Sequence, residues 1–432
     1  MTPKKIIILV LILLFCVLYA SFHYASFQPI KIYTAVDISS SVLFLIFCFL
    51  LFRTNLTRRE TIILIIVGII IRLSLVGMHA IGSDDIYRYI WDGKVQSNGI
   101  NPYLYAPDDP HLTMLHSDFL PSKVNFPDMK SIYFPLSQWF FFAGYKIAGE
   151  NVWGIKLLVL LSELLTIFSL FLLSKVKSID PKFILIYVLC PLPILHFALD
   201  GHVDAFGLPL LILSIYFYLT EKKILSSILI GLSLSIKPVG LFIIPIFFLN
   251  EKKLSDKLKI VVVPSVVFFV QFLPYIFATD PFEAFLIYTK NWTFNGLIFN
   301  ILNSFIKNNQ IARTYCGIIL LMSLMPIYFS KRELMIKIYY SLIFLIIFSP
   351  VVHPWYMAWI VVLLPVVQRW SGIVLASASS LTSFTILTYI LSGVWKDYWL
   401  VLFLEYIPVY VLISTELFFY NETKKSGQIN PL

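Results

Sequence analysis

The chain has 432 residues, 59% hydrophobic and 13% charged, against ~25% charged in an ordinary soluble domain. That deficit excludes a soluble globular enzyme and points to a polytopic membrane protein, whose spans each need ~17–25 apolar residues. The net charge of +9 comes from short Lys/Arg clusters between apolar runs, so it reads as positive-inside topology and no nucleic acid is expected as partner.

Lys4 and Lys5 precede an apolar run from Ile6 to Ser21 that no clear small-residue cleavage site follows, which predicts an uncleaved first helix. Placing the Lys/Arg clusters on one side of the bilayer, from Lys4/Lys5 and Arg53/Arg58/Arg59 through Lys252/Lys253 to Arg369, predicts about twelve spans. They lie near 6–22, 38–52, 61–78, 152–174, 183–199, 203–219, 260–278, 311–329, 335–350, 355–368, 372–391 and 399–420. The predicted fold is all-α: one polytopic transmembrane helical bundle over 1–432, both termini cytoplasmic, with 79–151 as a large non-cytoplasmic loop. Residues 132–149 would invert every later loop if they crossed, so they are placed as an aromatic-rich interfacial helix. Residues 224–249 lie between two lysine clusters that both belong inside. As one helix at 1.5 Å per residue they would reach about 39 Å, and a single crossing would break the charge pattern. The break Lys237-Pro238-Val239-Gly240 therefore predicts a re-entrant hairpin with Lys237 at its tip. Non-helical backbone at that depth survives only inside protein or a cavity. Cys16, Cys48, Cys190 and Cys316 show no disulfide or zinc spacing.

The passage SDDIYRYIWDGKVQSNGINPYLYAPDDP, residues 83–110, is the most informative for chemistry. Asp84 and Asp85 stand where the chain leaves the bilayer, and a carboxylate there is costly without a task or a partner. If 84–96 is a helix, Asp85, Tyr89 and Asp92 share one face, while Asp84 and Arg88 pair at i, i+4. Asp84 is then held and Asp85 is free to accept a proton; an interfacial helix whose charges merely face water is the alternative. The Gly- and Pro-dense stretch after Asn98, with Asn101, Tyr103 and Tyr105, predicts a fixed irregular loop, either a sugar-binding wall together with Trp91 or an ordinary ordered turn. Further ionisable residues lie inside spans or at their outer ends: Arg72, Glu163, Lys237, Asp200, His202 and Asp204 in LDGHVDAFG, and the corner His353-Pro354-Trp355-Tyr356. Such groups face cavities and pair with one another or with a ligand. For Lys237 the partner is a lipid phosphate or Glu163. Asp200, His202 and Asp204 lack further ligands at short spacing, so a hydrogen-bonded turn is favoured over a metal site, and no metal or cofactor is expected.

The strings SDDIYRYIWDG, GINPYLYAP, SIYFPLSQ, LDGHVDAFG, SIKPVG and VVHPWY follow one another over about residues 60–370. With them the chain resembles the polytopic glycosyltransferases of the C-type (GT-C) fold, and among these the bacterial polyprenyl-phosphate-mannose-dependent mannosyltransferases. The resemblance implies transfer of a hexose, mannose first, from a polyprenyl-phosphate-linked donor to a glycan or lipid-linked acceptor. It implies a site on the outer face of a bacterial cytoplasmic membrane. Asp85 would be the base, with Asp84 the near alternative, and Lys237 with Arg88 or Arg72 would hold the donor phosphate. Tyr89, Asp92, Asn101, Tyr103, Tyr133, Asp200, His202, Asp204, His353, Trp355 and Tyr356 would bind substrate. Two spans precede the helix that leads into the acidic loop, where the common family pattern has one. Such a donor already carries a good leaving group, so the enzyme needs one carboxylate for the acceptor proton and cations for the charge developing on the phosphate. A transporter or flippase for a lipid-linked or anionic substrate is the rival class; it predicts paired, repeat-related broken helices.

Overall fold

The computed structural model describes residues 2–24 and 28–426. Their regular elements are all helical, and extended pairing among them is confined to isolated bridges from Phe294 and Asn295 to Val351. Helices α1 (Pro3–Ala20) and α2 (Pro29–Phe52) each carry Pro in the first turn, where a missing N–H leaves no bond unmade. Helix α3 (Arg58–Leu75) opens with a capping box between Thr57 and Glu60. Its far end is tied down by Lys156, whose ammonium donates to the carbonyls of Leu75 and Met78. That tie aims the chain into the short linker before α4 (Asp85–Ser97). Helix α5 (Pro135–Ala148) packs on α4 so closely at Gly93 that any Cβ there would run into the Phe141 carbonyl.

Helix α6 (Trp153–Val176) shows how the bundle is solvated. Val159, Leu170 and Leu173 are wholly buried, while Leu161, Leu165 and Phe168 form an exposed apolar stripe at i, i+4 and i+7. In water such a stripe would be an aggregation surface; in lipid it is the solvated face. The chain is an integral membrane protein. By length and composition six helices among the described residues can cross a bilayer: Pro3–Tyr24, Pro29–Phe52, Trp153–Val176, Asn309–Tyr328, Trp370–Ser392 and Trp399–Phe418. The pair Pro181–Val188 and Pro191–Leu199, bent by 49°, makes up to seven. The expected count of about twelve is not reached. Asp204–Leu219 and Leu334–Ile347 have only 16 and 14 residues. The predicted 355–368 span is three short helical pieces containing Pro354 and Pro365, since proline cannot continue a helical ladder. Much of that segment is enclosed by protein, with Ala358 and Val361 to Leu364 wholly buried, so bilayer thickness does not dictate its length.

Residues 223–251 double back on themselves. The helix Lys223–Leu234 ends, the chain turns through Pro238–Phe242, and Ile244–Asn250 returns. Lys223 pairs with Glu251 at the open end. At the turn Gly240 lies against Ile230 and Leu234, where a Cβ would stand 3.0 and 3.1 Å from their side chains. Lys237 sits at this turn, next to the start of Asp204–Leu219.

Candidate active site

Asp84 stands at the N-cap position of α4 yet makes no capping bond, and Asp85 is the first helical residue. The side-chain amide of Asn125, from the irregular loop, donates to both: 2.7 Å to Asp85 Oδ1 and 2.9 Å to Asp84 Oδ1. The other Asp85 oxygen faces His202 Nδ1 at 3.6 Å, too far for a hydrogen bond. Asp85 keeps 21% of its side chain exposed, so it borders an opening. Desolvation, reinforced by the Asp84 charge and opposed by Asn125, pushes Asp85 up to about 7. Burial also raises Asp84. A carboxyl poised there can take up a proton near neutrality.

Within reach of the Asp85 charge, Lys237 Nζ donates to Asp204 Oδ1 at 2.8 Å, and the Trp359 indole donates to the same oxygen at 2.7 Å. The ammonium also lies 3.0 Å from the centroid of the Tyr356 ring, a cation–π contact. The Tyr356 and Tyr288 hydroxyls meet at 2.9 Å. Lys237 retains 21% side-chain exposure, leaving it reachable although Asp204 is buried. His202 stacks on Trp355 at 3.6 Å, and Trp355 on His353 at 4.4 Å. Burial first, then neighbouring imidazoles and Lys237, hold His202 and His353 below the usual histidine range, so both rings are neutral. Neither ring nitrogen of His202 has a hydrogen-bond partner. A buried polar atom left this way costs about 1–3 kcal/mol, which a ligand hydroxyl or phosphate oxygen would relieve.

A family model described as "Alpha-(1->6)-mannopyranosyltransferase, N-terminal domain" matches residues 20–251, more than half of the chain. The chain belongs to that family. A second model, described as the MptB C-terminal domain, matches residues 303–414. The first match spans Asp84, Asp85, His202, Asp204 and Lys237, and the second spans His353, Trp355, Tyr356 and Trp359, so the site is built from both. Among solved structures, the chain is similar to ArnT from Cupriavidus metallidurans, whose crystal structure was obtained with undecaprenyl phosphate bound. The identity is 13%, the TM-score 0.46, and the match covers 78% of this chain and 66% of that one. This mannopyranosyltransferase-family chain thus spans about two thirds of the length of that ArnT chain. No curated protein matches it.

Several residues singled out in the sequence do other work. Arg88 does not hold Asp84: it pairs with Asp92 one turn on, at 2.9 Å, and donates to the Met129 carbonyl. Asp92 also accepts from Ser131 and Gln138, so this buried cluster pins the loop to α4. Arg72 and Glu163 pair at 2.9 Å with no side-chain exposure at all. Arg72 further donates to the Val188 and Gly68 carbonyls. Glu163 is therefore not the partner of Lys237, and Arg72 is committed inside the bundle. Asp200 accepts from the N–H groups of Ile81 and Gly82 and from the Tyr33 hydroxyl, which fastens the linker that presents Asp84. His196, Asp200 and His202 offer ligand atoms within 4.8 Å of one another, but the Asp200 oxygens are already taken up, Oδ1 by the linker N–H groups and Oδ2 by the Tyr33 hydroxyl. Asn101 bonds the Tyr103 N–H and the Tyr275 carbonyl, and the Tyr103 hydroxyl donates to the Tyr133 carbonyl. Tyr89 stacks on Phe141 at 4.5 Å and meets Tyr133 edge-on, fully in the core. What brings Asp85, Lys237, Asp204, His202, Trp355 and Tyr356 together also brings in Asn125, Trp359 and Tyr288, which sequence reasoning missed. Only Trp359 carried a local signal: it lies one helical turn beyond Trp355.

Proposed function

We propose that the protein transfers a mannosyl residue from a polyprenyl-phosphate-linked donor to a hydroxyl of a glycan or glycolipid acceptor, on the non-cytoplasmic face. The observation that carries this reading is a partly exposed Asp85 and a partly exposed Lys237, paired with Asp204, close enough for their charges to act on one another, in a chain of a mannopyranosyltransferase family. The acceptor oxygen attacks the anomeric carbon while its proton passes to Asp85, and the bond from that carbon to the phosphate oxygen breaks. The electron pair leaves with the polyprenyl phosphate, whose growing charge Lys237 stabilises. Trp359 keeps Asp204 in place as the ammonium turns toward the phosphate. His202 supplies a neutral donor or acceptor for a sugar hydroxyl, and Trp355 and Tyr356 wall the sugar. Direct displacement inverts the anomeric carbon. Reconstituted protein given labelled polyprenyl-phosphate mannose and a mannoside acceptor should form labelled glycan, and Asp85→Asn should insert normally yet lose at least ~10²-fold in turnover. Labelled lipid that crosses the bilayer without transfer would instead support a flippase.

A further inference from the structure

A cavity of about 250 Å³ lies beside the loop that joins the last two long helices. Thr293, Asn300, Trp395, Lys396, Asp397 and Trp399 line it. A plain interfacial belt would explain two half-exposed tryptophans and a lysine, but not the carboxylate between them. Both Asp397 oxygens accept the Asn295 N–H at 3.1 Å, and the Asn300 amide donates at 2.7 Å. Behind this, the buried Asn295 side chain donates to Thr382 and Glu405 at 3.0 and 2.9 Å, and its carbonyl accepts the Tyr406 hydroxyl at 2.8 Å. Glu405 has no exposed surface, and its second oxygen has no partner. The wall is thus a supported, pre-arranged polar surface.

This cavity is tied to the Asp85 site. The Phe294 N–H donates to the Pro350 carbonyl at 3.0 Å, and the Val352 N–H to the Phe294 carbonyl at 2.8 Å. The segment so paired runs straight into His353-Pro354-Trp355-Tyr356. Rings also connect the two places: His202 to Trp355, Trp355 to His353, His353 to Phe294 and Phe294 to Trp395, with centroids 3.6, 4.4, 4.8 and 4.8 Å apart.

We propose that this cavity is a saccharide subsite, holding the acceptor glycan a few sugar rings from the hydroxyl that reacts at Asp85. The proposal rests on the glycosyl-transfer reading above. An indole face suits the C–H face of a pyranose, while a fixed carboxylate with amide, hydroxyl and ammonium neighbours suits its hydroxyls. One carboxylate and one ammonium leave the lining without net charge, which favours a neutral sugar over an anion.

The test uses the full-length protein with α-1,6-linked mannobiose and mannotetraose as acceptors. The wild type should show a KM for the tetraose about tenfold below that for the biose, and Trp399→Ala should bring the ratio close to one. Asp397→Asn, which keeps the shape of the wall, should do the same and serves if Trp399→Ala does not insert. In the Asp85→Asn background, mannotetraose should quench tryptophan emission saturably, and adding Trp399→Ala should abolish this. A KM ratio that neither variant changes overturns the subsite while leaving transfer intact. Saturable tetraose binding that depends on Trp399, in a wild type that makes no product, overturns the transfer reading while leaving the subsite.

Discussion

Replacing Lys237 separates two roles that one residue combines. In Lys237→Met the Asp204 carboxylate, with 3% side-chain exposure, loses its cation and keeps only the Trp359 N–H. Breaking a fully buried pair costs roughly 3–5 kcal/mol. Lys237 is 21% exposed and Trp359 still serves one oxygen, so about 2–3 kcal/mol is the figure to expect for this site. The double variant Lys237→Met/Asp204→Asn removes the stranded charge and preserves an acceptor for Trp359, so most of that loss should return. Donor binding should not return, because the cation facing the phosphate is still missing. Thermal unfolding in detergent and binding of a polyprenyl-phosphate sugar, measured on the same preparations, read the two effects separately. If the double variant recovers both stability and donor binding, Lys237 is a structural partner of Asp204 and the phosphate assignment is wrong. If it melts as low as the single variant, Asp204 is not what Lys237 neutralises.

Other consequences follow from named contacts. Because Asp85 sits near 7 and must be ionised to accept a proton, kcat/KM should fall as pH drops below about 7; Asn125→Ala removes a bond that lowers this pKa, so the acid limb should move to higher pH. A limb that stays in place in that variant would detach Asn125 from the base. Arg72→Met strands Glu163 in the bundle and should cost roughly 3–5 kcal/mol in unfolding measurements, with donor KM unaltered in the protein that remains folded; a selective rise in KM would return Arg72 to the site. Cysteines placed at Ser122 and Ser255 should react with an impermeant reagent from opposite sides of the membrane, and labelling from one side would overturn the topology.

The sequence by itself determined the membrane class, the helical fold and the acidic corner at Asp84-Asp85. Those follow from local quantities: apolar run length, the placement of lysines and arginines, and carboxylates next to an apolar helix. It also pointed to Lys237, His202, Asp204, His353, Trp355 and Tyr356, because polar residues at the ends of apolar segments are conspicuous in one dimension. The pairings were decided only by the tertiary structure. Arg88 has an aspartate four residues before it and another four after, and helix geometry allows either; burial of Asp92 against Ser131 and Gln138 settles the choice. Lys237 could have met Glu163, but that carboxylate is taken by Arg72, 91 residues away in sequence, and Lys237 finds Asp204 instead. Asn125 lies in a loop without periodicity, so nothing local marks it as the group that bridges Asp84 and Asp85. In a low-dielectric interior an unpaired charge costs too much to persist, so each ionisable side chain takes the partner that packing brings within reach, and that partner is set by how the helices cross.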